Sequence, residues 1–517
     1  MKIQKKILSL AAVSVMLLAG CGQTAAEGDL SAGTGSDNNY NYQKLSYEGV
    51  NRMDFSCLIE AESASGIPVK TDMKGFSGDG YIDITDNEQL KLSVDIPASQ
   101  YYKITVRHCA GGHKENPLLF NGAKVMDIYS EAGDWVETTV NGIFLEKGKN
   151  EITLGAGWSW FSLDSILVEN GEPLSDELYQ NIAPEPCNPN ANEKTKKIYR
   201  YLTEIYGKRT LSGQCTDYGN NTETDALFLG TGKYPAVRTF DFIYDSMSYC
   251  HKNPPAKDVD LAIDWSNNGG LVAFDWHWYA PYNGCAFYTN DTLFKLSNAV
   301  TDEDIALLDL AEIEALCDSG KISIEAYRLV EDIDNISSLM QIMQSENVTV
   351  MWRPLHEASG GWFWWGASGV DSYKWLWKLM YERMTNYHKL NNLIWVWNGQ
   401  DKEWYPGDQY CDIAAIDIYN NAYDYGTSPA TLEDISGWTS TSGSKKLVTM
   451  SECATMPDPD LIVRDNAYWL WFAVWNWDYI VVNGTTQLSD AFTSFDMMKK
   501  VYDSEVIITR DELPDFN

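Results

Sequence analysis

The sequence predicts an α/β protein in which a (β/α)8 barrel follows an all-β sandwich. From Arg209 onward, eight short apolar runs alternate with longer helical stretches over about 320 residues, which suits such a barrel. Several runs are apolar throughout, as in strands that are buried on both faces. Between residues 55 and 170, by contrast, short runs alternate apolar and polar residues between Gly and Asn turns, a pattern typical of a β-sandwich.

The chain of 517 residues is too long for one ordinary domain, and its composition changes along its length. We therefore predict five segments. They are a leader (1–20), a flexible tether rich in Gly, Ser, Asn and Asp (21–54), the sandwich (55–170), a linker with four prolines (171–193) and the barrel (194–517).

The first twenty residues indicate a secretory signal. Three lysines precede an apolar run, Ile7 to Leu18, that is too short to remain as a membrane span. The leader ends in Leu-Ala-Gly before Cys21, which resembles a bacterial lipobox. That resemblance implies cleavage before Cys21, a lipid on its thiol, and a protein anchored to the outside of a bacterial cell.

The overall composition excludes some partners. A formal net charge of −34 repels phosphate backbones, so we expect no nucleic acid partner. Twenty Trp and 30 Tyr favour stacking on carbohydrate, although a large aromatic core would also use many of them. The ten cysteines show no CxxC spacing, which argues against a zinc site and leaves one or two disulfides possible. We expect a monomer.

Two features of the sandwich segment indicate binding. Glu60 and Glu62 share one face of a strand, and together with Asp164 they could supply oxygen ligands to calcium. Solvated acids on an edge strand explain the same spacing equally well. Trp158 and Trp160 could form a sugar platform or cap the core.

The order of motifs in residues 55–170 resembles carbohydrate-binding modules of family 35. These motifs are Glu-Ala-Glu, Gly-Asp-Gly-Tyr-Ile, an Asn-Gly turn, a Gly-x-Trp, Gly-Lys-Asn-Glu-Ile-Thr-Leu, and a Trp-rich segment followed by Asp. The resemblance implies a jelly-roll sandwich, a structural calcium near the Glu-Ala-Glu strand, and glycan binding by loops.

The eight predicted barrel strands end in polar or aromatic residues, where barrels of this kind collect their functional groups. Those ends are Gln214, Asp241, His277, Glu357, Asn398, Tyr419, Glu452 and Trp475. Two of them are glutamates. Two carboxyl groups about 5 to 5.5 Å apart cleave a glycosidic bond with retention of configuration. Either glutamate taken alone could be an ordinary strand-end acid.

The fourth strand leads into the sequence RPLHEASGGWFWWG, in which a proline ends the strand just before His356 and Glu357. A wall of indoles is expected in front of this carboxyl group, where indole faces would stack on sugar rings. A carboxyl group in low-dielectric surroundings has a raised pKa and can act as a general acid. The segment therefore predicts a sugar-cleaving site.

The pair RPLHE and WFWWG, with the later strand-end Ser-Glu, resembles glycoside hydrolase family 26. That family consists of retaining barrel enzymes, chiefly endo-β-1,4-mannanases with some β-glucanases and β-1,3-xylanases. The resemblance implies that Glu357 is the acid/base and Glu452 the nucleophile. It implies no cofactor for catalysis. It covers residues 188 to the C-terminus.

The same resemblance implies substrate-binding roles for five more residues. Trp362 is the platform for the leaving-group sugar, and Trp475 is the floor of the −1 subsite. Tyr419 donates a hydrogen bond to the nucleophile, which keeps it ionised. His356 binds a sugar hydroxyl in the −1 subsite or orients the partners of the nucleophile, and His277 lies near the acid/base.

One departure from the family pattern leaves the shape of a subsite open, because Cys453-Ala454-Thr455 follows the second glutamate. We reject Cys453 as a nucleophile, since the glutamate pair explains more of the sequence. Trp471 and Trp477 are expected in the core or at the rim.

We predict an endo-acting β-mannanase that binds β-mannan polysaccharides and oligosaccharides. A β-1,3-1,4-glucanase or xylanase with the same acids is an alternative. So is a non-catalytic surface glycan-binding protein, although two glutamates at matched strand ends argue against it.

Overall fold

The computed structural model describes residues 52–516, with gaps at 65, 86–88, 113, 156–160, 247–256 and 440–442. The predicted leader, Cys21 and nearly all of the predicted tether lie outside the described residues, as do Trp158 and Trp160. Within the described residues, no helix combines the length and the apolar character that crossing a bilayer requires.

The N-terminal part is a sandwich of two antiparallel sheets, as predicted. Its strands are β1 (Ser56–Glu60), β2 (Val69–Lys70), β3 (Tyr81–Ile84), β4 (Leu90–Ile96), β5 (Gln100–Ala110), β6 (Lys114–Phe120), β7 (Ala123–Ser130), β8 (Val136–Leu145), β9 (Gly148–Leu154) and β10 (Phe161–Asn170). One sheet has the order β2-β3-β10-β5-β8, with β1 paired to β10, and the other has the order β4-β9-β6-β7.

Strand β4 shows why the sequence folds this way. Leu90, Leu92, Val94 and Ile96 are buried, and the three residues between them are exposed. The period of two therefore places every apolar side chain of β4 in the core between the sheets.

The C-terminal part is a closed parallel barrel, also as predicted. Its strands are β11 (Thr210–Cys215), β12 (Val237–Asp241), β13 (Leu271–Asp275), β14 (Val350–Arg353), β15 (Leu393–Trp397), β16 (Ile413–Ile418), β17 (Leu447–Cys453) and β18 (Trp471–Val474). The strands pair in chain order, and β11 closes the ring by pairing with both β12 and β18. A short strand, β19 (Ile507–Ile508), adds to β11.

Helices surround the barrel. They are α1 (Glu193–Ile205), α2 (Thr222–Thr231), α3 (Lys257–Asn267), α4 (Leu310–Asp318), α5 (Ile324–Ser345), α6 (Val370–Glu382), α7 (Pro429–Trp438), α8 (Pro459–Asp465) and α9 (Phe495–Asp503). The predicted helix over 371–389 is α6 followed by a π-helical turn, Arg383–Tyr387. This turn buries the Arg383 guanidinium, which pairs with Asp334.

The sandwich packs directly on the barrel. Helix α7 lies against β7 and β8, and its Ala430 is only 4% exposed within the core of the sandwich. Asn141 Nδ2 donates to Glu433 Oε2 at 3.0 Å, and the Tyr101 hydroxyl donates to the carbonyl of Arg464 at 2.5 Å. The helix that follows the sixth barrel strand therefore also supports the sandwich.

Candidate active site

Three carboxyl groups meet at the mouth of the barrel, where the parallel strands end. Glu357, Asp417 and Glu452 each place one carboxylate oxygen within 4.8 Å of an oxygen of the other two. The two predicted glutamates thus lie together, at a separation that suits a retaining glycosidase. The closed sheet brings them together, because strands β14 and β17 end at the same rim.

Glu357 stands on a strained turn. Leu355 and Glu357 have φ values of 55° and 53°, a left-handed conformation that costs a side-chain-bearing residue about 1–3 kcal/mol. Asn398 holds the turn, because the Glu357 amide donates to its carbonyl at 2.8 Å and to its Oδ1 at 3.0 Å. Trp362 Nε1 donates to Glu357 Oε2 at 3.0 Å.

The surroundings of Glu357 favour its neutral form. Burial raises the pKa of this carboxyl group well above its ordinary value, and the nearby charges of Asp417 and Glu452 raise it further. Arg353 and the Trp362 hydrogen bond oppose this effect without cancelling it. A protonated carboxyl group beside an exposed indole can give its proton to a leaving oxygen.

Glu452 has different neighbours. It lies within β17 and is 3% exposed. Arg353 Nη2 donates to its Oε1, and the Tyr419 hydroxyl donates to its Oε2 at 2.5 Å. Burial and the charge of Glu452 raise the pKa of Tyr419 well above its ordinary value, so this hydroxyl keeps its proton. Both Glu452 oxygens therefore accept hydrogen bonds, as a carboxylate requires.

Arg353 links the carboxylates of the mouth. Besides Glu452 it donates to Asp275 Oδ2 at 2.7 Å and to Asp417 Oδ2 at 3.2 Å, and its side chain is 3% exposed. Burial raises the pKa of Asp275 to about 8 and that of Asp417 to about 7. Three close carboxylates also resemble a metal site, but here the guanidinium supplies the positive charge to two of them, Asp417 and Glu452.

The other predicted residues surround this centre. Trp362 is 46% exposed and Tyr419 is 36% exposed, so both can meet a ligand. The His277 ring lies 6.0 Å from the Trp475 ring and 4.6 Å from the His356 ring. His277 thus contacts the residue before Glu357, and His356 is almost fully buried behind it.

Sequence comparison identifies the family of the chain. The sequence model of glycosyl hydrolase family 26 matches residues 187–512, and that of carbohydrate binding module family 35 matches residues 57–171. The chain belongs to glycosyl hydrolase family 26. Mannan endo-1,4-β-mannosidase B of Piromyces sp is 35% identical over 475 residues, which are 89% of this chain and 77% of the relative.

Further relatives and solved structures agree with this family. Mannan endo-1,4-β-mannosidase of Thermothelomyces thermophilus is 34% identical over 470 residues, covering 88% of this chain and 90% of the relative. The crystal structure of the Podospora anserina GH26-CBM35 β-(1,4)-mannanase is 30% identical, with a TM-score of 0.58 over 90% of this chain and 100% of that one. A β-mannanase from a symbiotic protist of the termite Reticulitermes speratus, complexed with gluco-manno-oligosaccharide, is 30% identical, with a TM-score of 0.55 over 65% and 98% of the two chains.

The prediction of a wall of indoles in front of Glu357 is wrong in part for this family 26 chain. In the WFWW run only Trp362 faces solvent, because Trp364 and Trp365 are 1% and 0% exposed. Their indole N–H groups donate to the carbonyls of Trp278 at 2.6 Å and His356 at 2.8 Å. Buried carbonyls satisfy these two indoles, so both belong to the core and support the turn that carries Glu357.

Sequence reasoning missed Arg353, Asp275 and Asp417. Each lies within a predicted strand segment, where a charged residue among apolar neighbours was the available signal.

Of the other candidates, Trp471 is buried at 2% exposure and Trp477 is half-buried. Cys453 is also buried, which raises the pKa of its thiol well above the ordinary value and fits its rejection as a nucleophile.

The predicted calcium ligands are only partly gathered. The Ser77 hydroxyl donates to Glu60 Oε2 at 2.7 Å, and Glu62 Oε2 is buried without a partner among the described residues. Asp164 is instead bound by the Arg107 guanidinium and by the amide of Ser77 at 2.7 Å. Asp164 already has a cation in Arg107, and a calcium at the two glutamates stays a prediction.

Proposed function

We propose that the chain is a retaining endo-β-1,4-mannanase that hydrolyses mannan, galactomannan and glucomannan. The observation that carries this proposal is the pair Glu357 and Glu452, which lie close together at the barrel mouth with opposite hydrogen-bonding surroundings. The names of the related mannan endo-1,4-β-mannosidases support the choice of substrate.

In the first step the Glu452 carboxylate attacks the anomeric carbon. The bond from that carbon to the glycosidic oxygen breaks, and Glu357 gives its proton to the departing oxygen. Trp362 stacks on the leaving sugar, and Trp475 is the floor beneath the sugar that reacts. Arg353 and Tyr419 hold the two oxygens of Glu452 in place for the attack.

In the second step a water molecule attacks the anomeric carbon of the glycosyl-enzyme. Glu357, now a carboxylate, takes a proton from that water, and the bond to Glu452 breaks. Two inversions give net retention. The residues present perform both steps with no cofactor.

Two alternative functions are considered, one catalytic and one non-catalytic. A β-1,3-1,4-glucanase or xylanase would use both glutamates on another sugar, and a glycan-binding protein would hydrolyse none. The test measures reducing-sugar release from galactomannan, glucomannan, lichenan and xylan, with Glu452→Gln as the blank, and follows the product anomer by proton NMR. Release from mannans with a β-anomer first supports the proposal. Release only from lichenan or xylan, or none at all, contradicts it.

We propose that the sandwich binds glycan and raises the local substrate concentration for the barrel. The match to carbohydrate binding module family 35 supports this role. The Glu60 and Glu62 pair supports a structural calcium in this module. Calorimetry with Ca²⁺ should show one binding event that Glu62→Gln weakens. The absence of binding heat in the unmodified chain would contradict the calcium site.

We propose that the chain is a monomer, secreted and anchored by a lipid on Cys21 to the outside of a bacterial cell, with residues 21–54 as the tether. The basic, apolar and small-residue order of the leader supports this anchor. Mass spectrometry of the membrane fraction should find diacylglyceryl-Cys21. A mature protein that still carries Met1 would contradict it.

A further inference from the structure

The barrel mouth holds more acids than its arginine can balance. Arg353 contacts Asp275, Asp417 and Glu452, so one guanidinium faces three carboxyl groups. Buried carboxylates without a countercharge are costly, and they favour protonation. A nucleophile that must stay ionised would gain from a second cation at this rim.

His277 lies where such a cation is needed. It is fixed by Asp241, the last residue of β12, through two contacts. The His277 amide donates to Asp241 Oδ1 at 3.0 Å, and His277 Nδ1 lies 2.7 Å from Asp241 Oδ2. Two contacts from one carboxylate fix both the backbone and the ring.

Charges around His277 favour its protonated form. Burial lowers the pKa of His277, but the charge and hydrogen bond of Asp241, together with the charges of Asp275 and Glu452, outweigh burial. The net result raises the pKa of His277 to about 9. At neutral pH this ring is therefore an imidazolium with two donors.

The second donor of His277 reaches His356. The two Nε2 atoms lie 3.3 Å apart, so one of them donates to the other. Burial lowers the pKa of His356 well below its ordinary value, and the charges of His277 and Arg353 lower it further. His356 is thus neutral and accepts at Nε2, which leaves its proton on Nδ1. That atom is buried without a partner among the described residues.

We propose that Asp241 is a positioning residue, which keeps His277 charged as the second cation of the mouth and thereby fixes the tautomer of His356 beside Glu357. The proposal deepens the proposed function and rests on it for the role of Glu452. Its charge states can be tested without any substrate, so failure here and failure of the mannanase assignment are distinguishable.

Two further acids lie near Asp241. Burial raises the pKa of Asp245 to about 8 and that of Asp258 to about 7, and the charge of Asp241 contributes to both. Of these three acids, Asp241 is the one that contacts His277 directly. His277 therefore faces Asp241, Asp275, Glu452 and His356, and it is the only one of these five groups that carries a positive charge.

The first test is an NMR titration of the full chain with ¹³C-labelled histidine. The chain has six histidines, so each signal can be assigned by substitution. The signal lost in His277→Gln should titrate with a midpoint near 9. In Asp241→Asn that midpoint should fall by about one pH unit or more, since one unit equals 1.36 kcal/mol of lost interaction with the charge. A His277 that is neutral at pH 7, or a midpoint unchanged in Asp241→Asn, overturns the proposal.

The second test measures kcat/KM on an activated aryl β-mannoside, for which leaving-group protonation matters little. Asp241→Asn should lose about tenfold at pH 8 and less at pH 5, because His277 recovers its proton as the pH falls. His388→Gln is the control, since His388 Nε2 lies 2.6 Å from Asp334 Oδ1 and contacts none of the groups of the mouth named above. An equal loss at both pH values would indicate a purely structural role for Asp241 and would overturn the proposal.

Discussion

The ends of strands β14 and β17 carry the same amino acid in opposite surroundings. Glu357 stands four residues beyond β14 on a left-handed turn, next to an exposed indole. Glu452 lies inside β17, and both of its oxygens are bound by an arginine and a tyrosine. Residue type and position along the chain do not distinguish the acid from the nucleophile here. The hydrogen-bond donors at each carboxyl group distinguish them.

The two glutamates also differ in how rigidly they are held and in how accessible they are. Glu452 is 3% exposed and held by strand pairing, whereas the turn of Glu357 opens toward Trp362, which is 46% exposed. A nucleophile needs a fixed line of attack, and an acid must reach a leaving group that enters from solvent. The following four changes test this contrast, in order of decreasing expected effect.

Replacing the nucleophile should have the largest effect. We expect Glu452→Ala to lose about four orders of magnitude or more in kcat on every substrate, because no other group can form the covalent intermediate. The measurement is kcat on galactomannan and on an activated aryl mannoside. Circular dichroism checks the fold, and an equal, mild loss in Glu357→Ala and Glu452→Ala would refute both assignments.

Replacing the acid should be selective. Glu357→Ala should cost about two to four orders of magnitude in kcat on galactomannan, since a poor leaving group needs the proton. On an activated aryl mannoside the first step should be far less affected, so glycosyl-enzyme should accumulate and appear by mass spectrometry. The contrast fails if both substrates slow by the same factor.

Removing one donor from the nucleophile should have an intermediate effect. Tyr419→Phe loses a hydrogen bond to a charged group, about 1.5–3 kcal/mol, or about ten- to hundredfold in kcat/KM. Tyr423→Phe is the matched control, because its hydroxyl donates at 2.8 Å to the carbonyl of Asp490 in the same region. Equal losses in the two variants would show that the bond to Glu452 contributes nothing special.

The smallest change should move a pH profile. The Trp362 hydrogen bond lowers the pKa of Glu357, so Trp362→Phe should raise that pKa and keep the acid protonated to higher pH. The alkaline limb of kcat/KM should therefore move to higher pH. Trp375→Phe, which removes an indole that donates to the Thr301 carbonyl and not to Glu357, should leave the limb in place. A downward shift would contradict the role of the indole.

Several parts of the fold and site follow from local pattern. Alternation predicts β4 and the sandwich, and continuous apolar runs predict the eight barrel strands, because periodicity reports which faces are buried. Glu357 and Glu452 were predictable for a related reason, since the carboxyl ends of barrel strands gather functional groups.

Other parts have no local signature. The burial of Trp364 and Trp365 depends on carbonyls supplied by Trp278 and His356. The contact of α7 with the sandwich likewise depends on residues about 300 positions apart, such as Asn141 and Glu433. Such pairings arise only when distant segments share one interior.

By itself the sequence determined the order of the two domains, the barrel strands and the two catalytic candidates, because hydrophobic period and strand-end chemistry are local properties. Only the tertiary structure decided that Arg353 bridges three carboxylates and that Asp241 holds His277 against His356. Charge state and hydrogen-bond partner depend on which groups the closed barrel brings within a few ångströms of one another. Spacing along the chain does not predict those neighbours.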